Sequence, residues 1–187
     1  MVKKDDYVIV LDYLPYGYPM EGKHMPVVQG IGELGFSLLE LAPVRGATVV
    51  PGEKVYIGPE KRDKIHFIIG RLPEGKLTET AKIQLQQFIA TVVGEHESNF
   101  VEFFNTVQAI NTRLHRLELL PGFGKKHTLE IIRARTEKPF ESFEDMKQRA
   151  SSVPDPRKAI EKRLWEEIVE KPRHLLFVGQ EWNQSKN

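Results

Sequence analysis

The stretch Leu119-Leu120-Pro121-Gly122-Phe123-Gly124-Lys125-Lys126-His127-Thr128 limits what this chain folds into more than any other. Proline lacks an amide hydrogen and glycine accepts positive φ, so Pro121-Gly122 ends one helical segment. Gly124 has no Cβ and lets another backbone come close. Lys125 to Ile132 then starts a new helix. The first-turn N–H groups of a helix lack intrahelical acceptors, and the helix dipole adds positive potential at that end. Several N–H groups aimed at one point form an anion nest, and phosphate is the natural ligand. Lys125, Lys126 and His127 sit at its mouth. From Arg113 to Lys138, seven basic residues (Arg113, Arg116, Lys125, Lys126, Arg133, Arg135, Lys138) oppose three acidic ones (Glu118, Glu130, Glu137), while the whole chain carries a formal charge of only +1. The basic excess is thus local to the turn, which is a better footprint of phosphate recognition than net charge.

The residues Leu120-Pro121-Gly122-Phe123-Gly124-Lys125, followed by Leu129, Ile131 and Ile132, resemble the helix-hairpin-helix motif of nucleic-acid-binding proteins. Many members carry a small aliphatic residue in place of Phe123 and alanine in place of Thr128. The resemblance implies binding of the sugar-phosphate backbone through hairpin amides, without reading sequence. In some members hairpin carbonyls also hold a monovalent cation.

Residues 7 to 78 read as β-structure. Tyr7 to Leu14 is a β-branched and aromatic run closed by Pro15, Gly17 and Pro19. Further runs cover 27–32, 36–41, 54–57 and 65–72, each bounded by turn residues. About five short strands in some 70 residues suggest a small barrel. An OB-like barrel fits first and an SH3-like barrel second. The loop Gly58 to Lys64 is basic at its tip through Lys61, Arg62 and Lys64, and Tyr13, Tyr16, Tyr18, Tyr56 and Phe67 are candidates to stack on bases. Such aromatics are also what a barrel core uses. Residues 1 to 78 hold ten basic and ten acidic side chains, so charge does not favour this region as the binding one.

At Thr78 the period changes from two to 3.6, with Thr78 as N-cap of a helix reaching Gly94. Phe103, Val107, Ile110, Leu114 and Leu117 are spaced as the buried stripe of a second helix leading into the turn. After the hairpin, Ser142 caps a helix with Phe143, Met146 and Ala150 inward, and Arg157 to Glu170 forms another. Between these two, Val153-Pro154-Asp155-Pro156 is a degenerate version of the first turn, without glycine. It reads as a structural partner that buries the first hairpin's apolar face. Leu175 to Val178 reads as a short strand or extended tail.

The fold class is therefore α+β: an OB-like barrel over 1–77, a linker helix over 78–98, and a tandem helix-hairpin-helix domain with a tail over 99–187. That order is similar to a family of uncharacterised archaeal proteins thought to bind nucleic acid. The likeness is carried by residues 27–32, Asn111-Thr112-Arg113-Leu114-His115, the hairpin, and residues 139–145.

Enzymatic signatures are missing. Gly30-Ile31-Gly32 lacks the third glycine and following helix of a dinucleotide fingerprint, and the six histidines are scattered. Glu144-Asp145 and Glu166-Glu167 read as solvated helix faces, and Asp145 and Asp155 have no supporting catalytic pattern. There is no cysteine, signal leader or membrane-length apolar run, which points to a cytoplasmic protein without disulfides or thiolate metal sites. The expectation is a non-catalytic nucleic-acid-binding protein, RNA ahead of DNA, without cofactor or metal. Its contacts are Pro121, Gly122, Phe123, Gly124, Lys125, Lys126, His127 and Thr128, flanked by Arg113, Arg116, Arg133 and Arg135, with Lys61, Arg62 and Lys64 in the barrel loop. The alternative is a protein-interaction adaptor whose hairpins are scaffold, marked by an exposed apolar patch around Phe140, Phe143, Trp165 or Trp182.

Overall fold

A computed structural model of the chain describes residues 5–22 and 24–179. They form an α+β structure with one five-stranded antiparallel sheet and five α-helices. The chain divides into two compact units, one built on residues up to Phe88, the other on Ile89–Glu167 with Pro172–Phe177.

The first unit is the curled sheet, with strands β1 (Tyr7–Leu14), β2 (Val27–Gly32), β3 (Leu38–Pro43), β4 (Lys54–Tyr56) and β5 (Ile65–Arg71) in the order β4-β1-β2-β3-β5. Period-two alternation sends Val8 and Val10 of β1 inward against Val28, Leu41, Val55 and Ile65, where burial of branched side chains holds the strands together. Between Val10 and Asp12 the β1–β2 register shifts, so Leu11 is the extra residue of a bulge and is buried as well. The third strand begins two residues later than the apolar run predicts, because Phe36 sits in the preceding turn at φ +52°. Every residue of the central strand β2 is buried, including Gln29. Its amide donates to the Tyr18 hydroxyl (3.1 Å) and the Lys76 carbonyl (2.7 Å) and accepts from the Thr78 N–H (3.2 Å), so its burial leaves no polar atom unpaired. Thr78 caps helix α1 (Glu79–Glu95) as predicted, its hydroxyl accepting from the Ala81 N–H at 3.0 Å and donating to Asp12 at 2.6 Å. The edge strands are β4 and β5, and most of β5 is exposed.

The second unit holds α2 (Glu97–Thr106), α3 (Lys125–Glu137), α4 (Phe143–Arg149) and α5 (Pro156–Trp165). The helix predicted through Leu117 is not there. Helix α2 stops at Thr106, and only a four-residue 3₁₀ turn, Arg116–Leu119, precedes the hairpin. Val107 already leaves the helix with extended backbone, and Asn111 then turns the chain: its side-chain oxygen accepts from the N–H groups of Arg113 (2.8 Å) and Leu114 (3.0 Å). Ser142 and Asp155 cap α4 and α5, accepting from Asp145 N–H (3.0 Å) and Lys158 N–H (3.2 Å). Phe143, Met146 and Ala150 are buried, as their spacing predicts.

Residues Leu175–Val178 form no strand. Phe177 is buried instead, edge-on to Phe100 and Phe103 of α2, with ring centroids 5.5 and 5.0 Å apart. Glu167 holds this segment and corrects its reading as a solvated side chain. It is buried, pairs with the Arg163 guanidinium (2.8 Å), and accepts from the N–H groups of Leu176 (2.6 Å) and Phe177 (2.9 Å). Removing one partner of such a pair strands the other charge without water. Glu167→Ala is therefore expected to destabilise the protein by about 3–5 kcal/mol, measured as a fall in the denaturant midpoint. An unchanged midpoint would mean that Glu166 (3.6 Å) and the His174 carbonyl, which already meet Arg163, suffice for its charge.

Candidate nucleic-acid interface

The turn Leu120–Gly124 is built around Phe123, whose side chain is buried beside Phe104 and His127 with centroids 6.0 and 6.1 Å away. The Phe123 N–H closes the turn onto the Leu120 carbonyl at 3.0 Å. Gly122 reverses the chain at φ +81°, and a Cβ there would lie 3.3 Å from Pro154 Cγ. The close approach is thus at Gly122, against the loop between α4 and α5. At Gly124, where the sequence suggests it, an added Cβ would meet nothing within 4 Å. Gly124 faces open space at the start of α3.

At that start helix donors lie open among basic side chains. Thr128 N–H makes the first intrahelical bond, to Gly124 O at 3.0 Å, so the N–H groups of Lys125, Lys126 and His127 precede the ladder and find no acceptor among the described residues. Helices α1, α4 and α5 are closed by Thr78, Ser142 and Asp155, whereas Gly124 has no side chain to offer. Asp155 also pairs with Lys147 at 2.9 Å, so the N-terminus of α5 already carries its own anion. The His127 ring lies across the α3 start, with Nδ1 3.1 Å from Gly122 O and 3.5 Å from Gly124 N. Its tautomer decides which of these it bonds.

The sequence-predicted residues divide into three groups. Gly124, Lys125 and Lys126 are exposed at the α3 start, and Pro121 and His127 are half-buried beside them. Arg133 is also exposed, and helical geometry sets it on the same face two turns beyond Lys126. Arg113 and Arg116 are exposed in the segment that leads into the turn, with Arg116 reaching Gln108 O at 3.4 Å.

Three predicted contacts are otherwise engaged. The Phe123 amide and ring are both used in the turn. Thr128 is 4% exposed and its hydroxyl has no partner, so it faces the interior. Arg135 points to the opposite side of α3 from Arg133 and donates to the carbonyls of Phe104 (2.8 Å) and Val107 (3.0 Å), closing the end of α2. Arg149, absent from the sequence reading, does the same for α3 through Ala134 O and Lys138 O, both at 2.6 Å.

Lys61, Arg62 and Lys64 belong to the sheet unit. Lys61 is exposed, Arg62 donates to Gly58 O at 2.8 Å, and Lys64 is ion-paired with Glu53. Of the candidate stacking aromatics, Tyr16 and Phe67 are exposed, Tyr13 packs on the core, Tyr18 bonds Glu40 at 2.6 Å, and Tyr56 contacts Tyr7 edge-on. The apolar patch that would mark an adaptor is absent at Phe140 and Phe143, which are buried, and Trp165 is half-buried. Trp182 lies outside the described residues. Among the described residues no three His, Cys, Asp or Glu side chains are grouped to hold a metal ion, and no helix is long and apolar enough to cross a membrane.

The 3₁₀ turn is pinned by His115, whose Nδ1 accepts from Leu117 N–H at 3.1 Å while Glu118 accepts from His115 N–H at 2.9 Å. Burial, then Arg135, hold the His115 imidazole below its ordinary value.

A model of the family described as protein of unknown function (DUF655) matches residues 4–179. Uncharacterized protein MJ0038 of Methanocaldococcus jannaschii is 43% identical over 178 residues, covering 94% of this chain and 81% of that protein. The crystal structure of Af1531 from Archaeoglobus fulgidus, described with the same family, superposes with a TM-score of 0.80 at 40% identity over 93% of this chain and 99% of that one.

Two outcomes follow from the turn's geometry. Gly122→Ala forces a Cβ into the left-handed region and toward Pro154, and is expected to cost about 1–2 kcal/mol; a thermal melt checks it. Folded His115 stays neutral at a pH where the unfolded chain takes up a proton. Stability is therefore full above the usual imidazole value of about 6.5 and declines as pH falls from there toward the lower folded value. The difference between the wild type and His115→Asn, in denaturant midpoints from pH 7.5 to 5, isolates this contribution.

Proposed function

The chain belongs to the DUF655 family of archaeal proteins, and we propose that it is a non-catalytic nucleic-acid-binding protein that grips the phosphate backbone at the start of α3. The single observation that carries this reading is the glycine-capped α3 N-terminus, where three consecutive N–H donors stay open beside exposed Lys125 and Lys126. Phosphate oxygens satisfy those donors, the helix dipole favours the charge, and the lysines attract it from a distance. Backbone contacts of this kind position a nucleic acid without reading its bases. In this reading Leu120–Gly124 and α3 are a helix-hairpin-helix whose first helix has shrunk to the 3₁₀ turn. The Pro154 loop is its degenerate partner. The sheet, antiparallel and without a β4–β5 ladder among the described residues, is a partly open OB-like barrel. RNA stands ahead of DNA.

A protein-interaction adaptor is the second reading, favoured by the apolar residues Phe67, Ile68 and Ile69 exposed on edge strand β5.

Fluorescence anisotropy with labelled single- and double-stranded RNA and DNA separates the two. Binding is expected to weaken steeply with salt and to vary little with sequence at the hairpin. The double variant Lys125→Glu, Lys126→Glu is expected to lose at least about tenfold in affinity for every probe, with the log–log salt slope shallower by roughly 1.5. Equal affinity of variant and wild type removes the hairpin as the site. No binding to any probe at low salt gives the adaptor precedence.

A further inference from the structure

On the sheet unit, a cleft of about 260 Å³ opens between the β1–β2 loop, strands β3 and β5, and the turn at Lys76. Its polar floor is Glu40, only 8% exposed. One Glu40 carboxylate oxygen accepts from the Tyr18 hydroxyl at 2.6 Å and lies 3.5 Å from the Lys76 ammonium. The other belongs to the same side chain, which lines the cleft. The floor is held rigidly. Tyr18 also accepts from Gln29, and Gln29 is locked by Lys76 O and Thr78 N–H. Burial, then the bond to Glu40, raise the Tyr18 phenol above its ordinary value, so it remains a donor at any physiological pH. Lys76 lies over the Tyr18 ring at 4.6 Å and bridges to Glu21 at 2.5 Å, so a cation stands beside the Glu40 carboxylate. The walls are apolar. Phe67 and Ile69 of β5 both line it and are 45% and 46% exposed.

We propose that this cleft binds a guanine base, with Glu40 accepting from the donor edge and Phe67 covering the ring. The volume lies just under the roughly 300–1,000 Å³ range of sites for drug-sized ligands, which suits one planar base. An exposed aromatic and an aliphatic neighbour supply the face on which unpaired bases stack. The polar pattern then selects among bases. Guanine offers adjacent N1–H and N2–H donors to the Glu40 oxygen that Tyr18 does not use, beside the O6 acceptor that suits Lys76. Cytosine and adenine offer one amino group each. Uracil offers a single N–H flanked by two carbonyls, which the carboxylates repel. The base is carried either by a free guanosine nucleotide or by an unpaired nucleotide in a strand. The site stands whether or not the hairpin binds phosphate, because all its residues belong to the sheet unit.

The test is NMR titration of the full chain with GMP, AMP, CMP and UMP at millimolar concentrations, following Tyr18, Phe67 and Ile69. GMP is expected to shift these resonances and to bind about tenfold more tightly than UMP. Glu40→Gln keeps an acceptor for Tyr18 but loses the charge, and is expected to weaken GMP about tenfold. Phe67→Ala, at an exposed position that does not hold the core, is expected to do the same. The shifts are read at Tyr18, Phe67 and Ile69, all in the sheet unit, so phosphate bound at the start of α3 does not count toward them. Equal shifts by all four nucleotides, shifts confined to other residues, no shift at all, or unaltered GMP affinity in both cleft variants would overturn the proposal. With GMP binding established, a single-stranded RNA holding one guanosine is compared with the same strand holding uridine. Preference for the first assigns the site to strands, and equal affinity assigns it to the free nucleotide.

Discussion

A polar group withdrawn from water must find a partner, and that requirement organises both units. Gln29 sits at the centre of the sheet because Tyr18, Lys76 and Thr78 meet its amide from outside the strand. Asn105 stands in for a strand neighbour by both donating to and accepting from Phe140 backbone, at 2.9 and 2.8 Å. Arg135 and Arg149 take up the loose carbonyls at the ends of α2 and α3. Where the protein leaves a donor or acceptor open, the exception is informative. The N–H groups at the α3 start find no acceptor among the described residues and lie beside exposed lysines, whereas the Thr128 hydroxyl is enclosed.

The two turns of the helical unit differ in what their helix starts offer. A lone hairpin buries too little to fold. The Pro154 loop supplies the missing surface by seating against Gly122, at a spot where any side chain would intrude. Proline suits that role because it packs without asking for a hydrogen bond, and it gives up amide donors in doing so. Asp155 then closes α5 with its own carboxylate. The first turn has the opposite chemistry. Its cap is glycine, its flanks are lysine, and its helix begins with donors unfilled. The difference between the turns is thus one of which side chain stands at the helix start, not of helix geometry.

Much of this was legible in the residues themselves. The five strands follow β-branched runs bounded by glycine and proline, and Thr78, Ser142 and the Pro-Gly turn announce helix boundaries, because caps and turns act through neighbours within four residues. Misreadings arose where a longer-range partner overruled the local pattern. The stripe from Phe103 to Leu117 has helical spacing, yet the chain leaves α2 after Thr106 and turns at Asn111, so that of the stripe beyond α2 only Val107 and Leu117 are buried. Glu166-Glu167 reads as a charged surface pair, but Arg163 and the returning Phe177 segment enclose one of the two.

The sequence alone determined the α+β order of elements, the hairpin turn and the local basic excess, since each depends on residue types a few positions apart. Only the tertiary structure decided which basic residues are available. Arg133 and Arg135 differ by two positions and one chemistry in common, yet one faces water and the other closes α2. It also decided that Gly122, not Gly124, is the point of close approach, and that Glu40 lines a cleft with Phe67 and Lys76. Those outcomes rest on contacts between residues far apart in the chain, whose free energies no local spacing records.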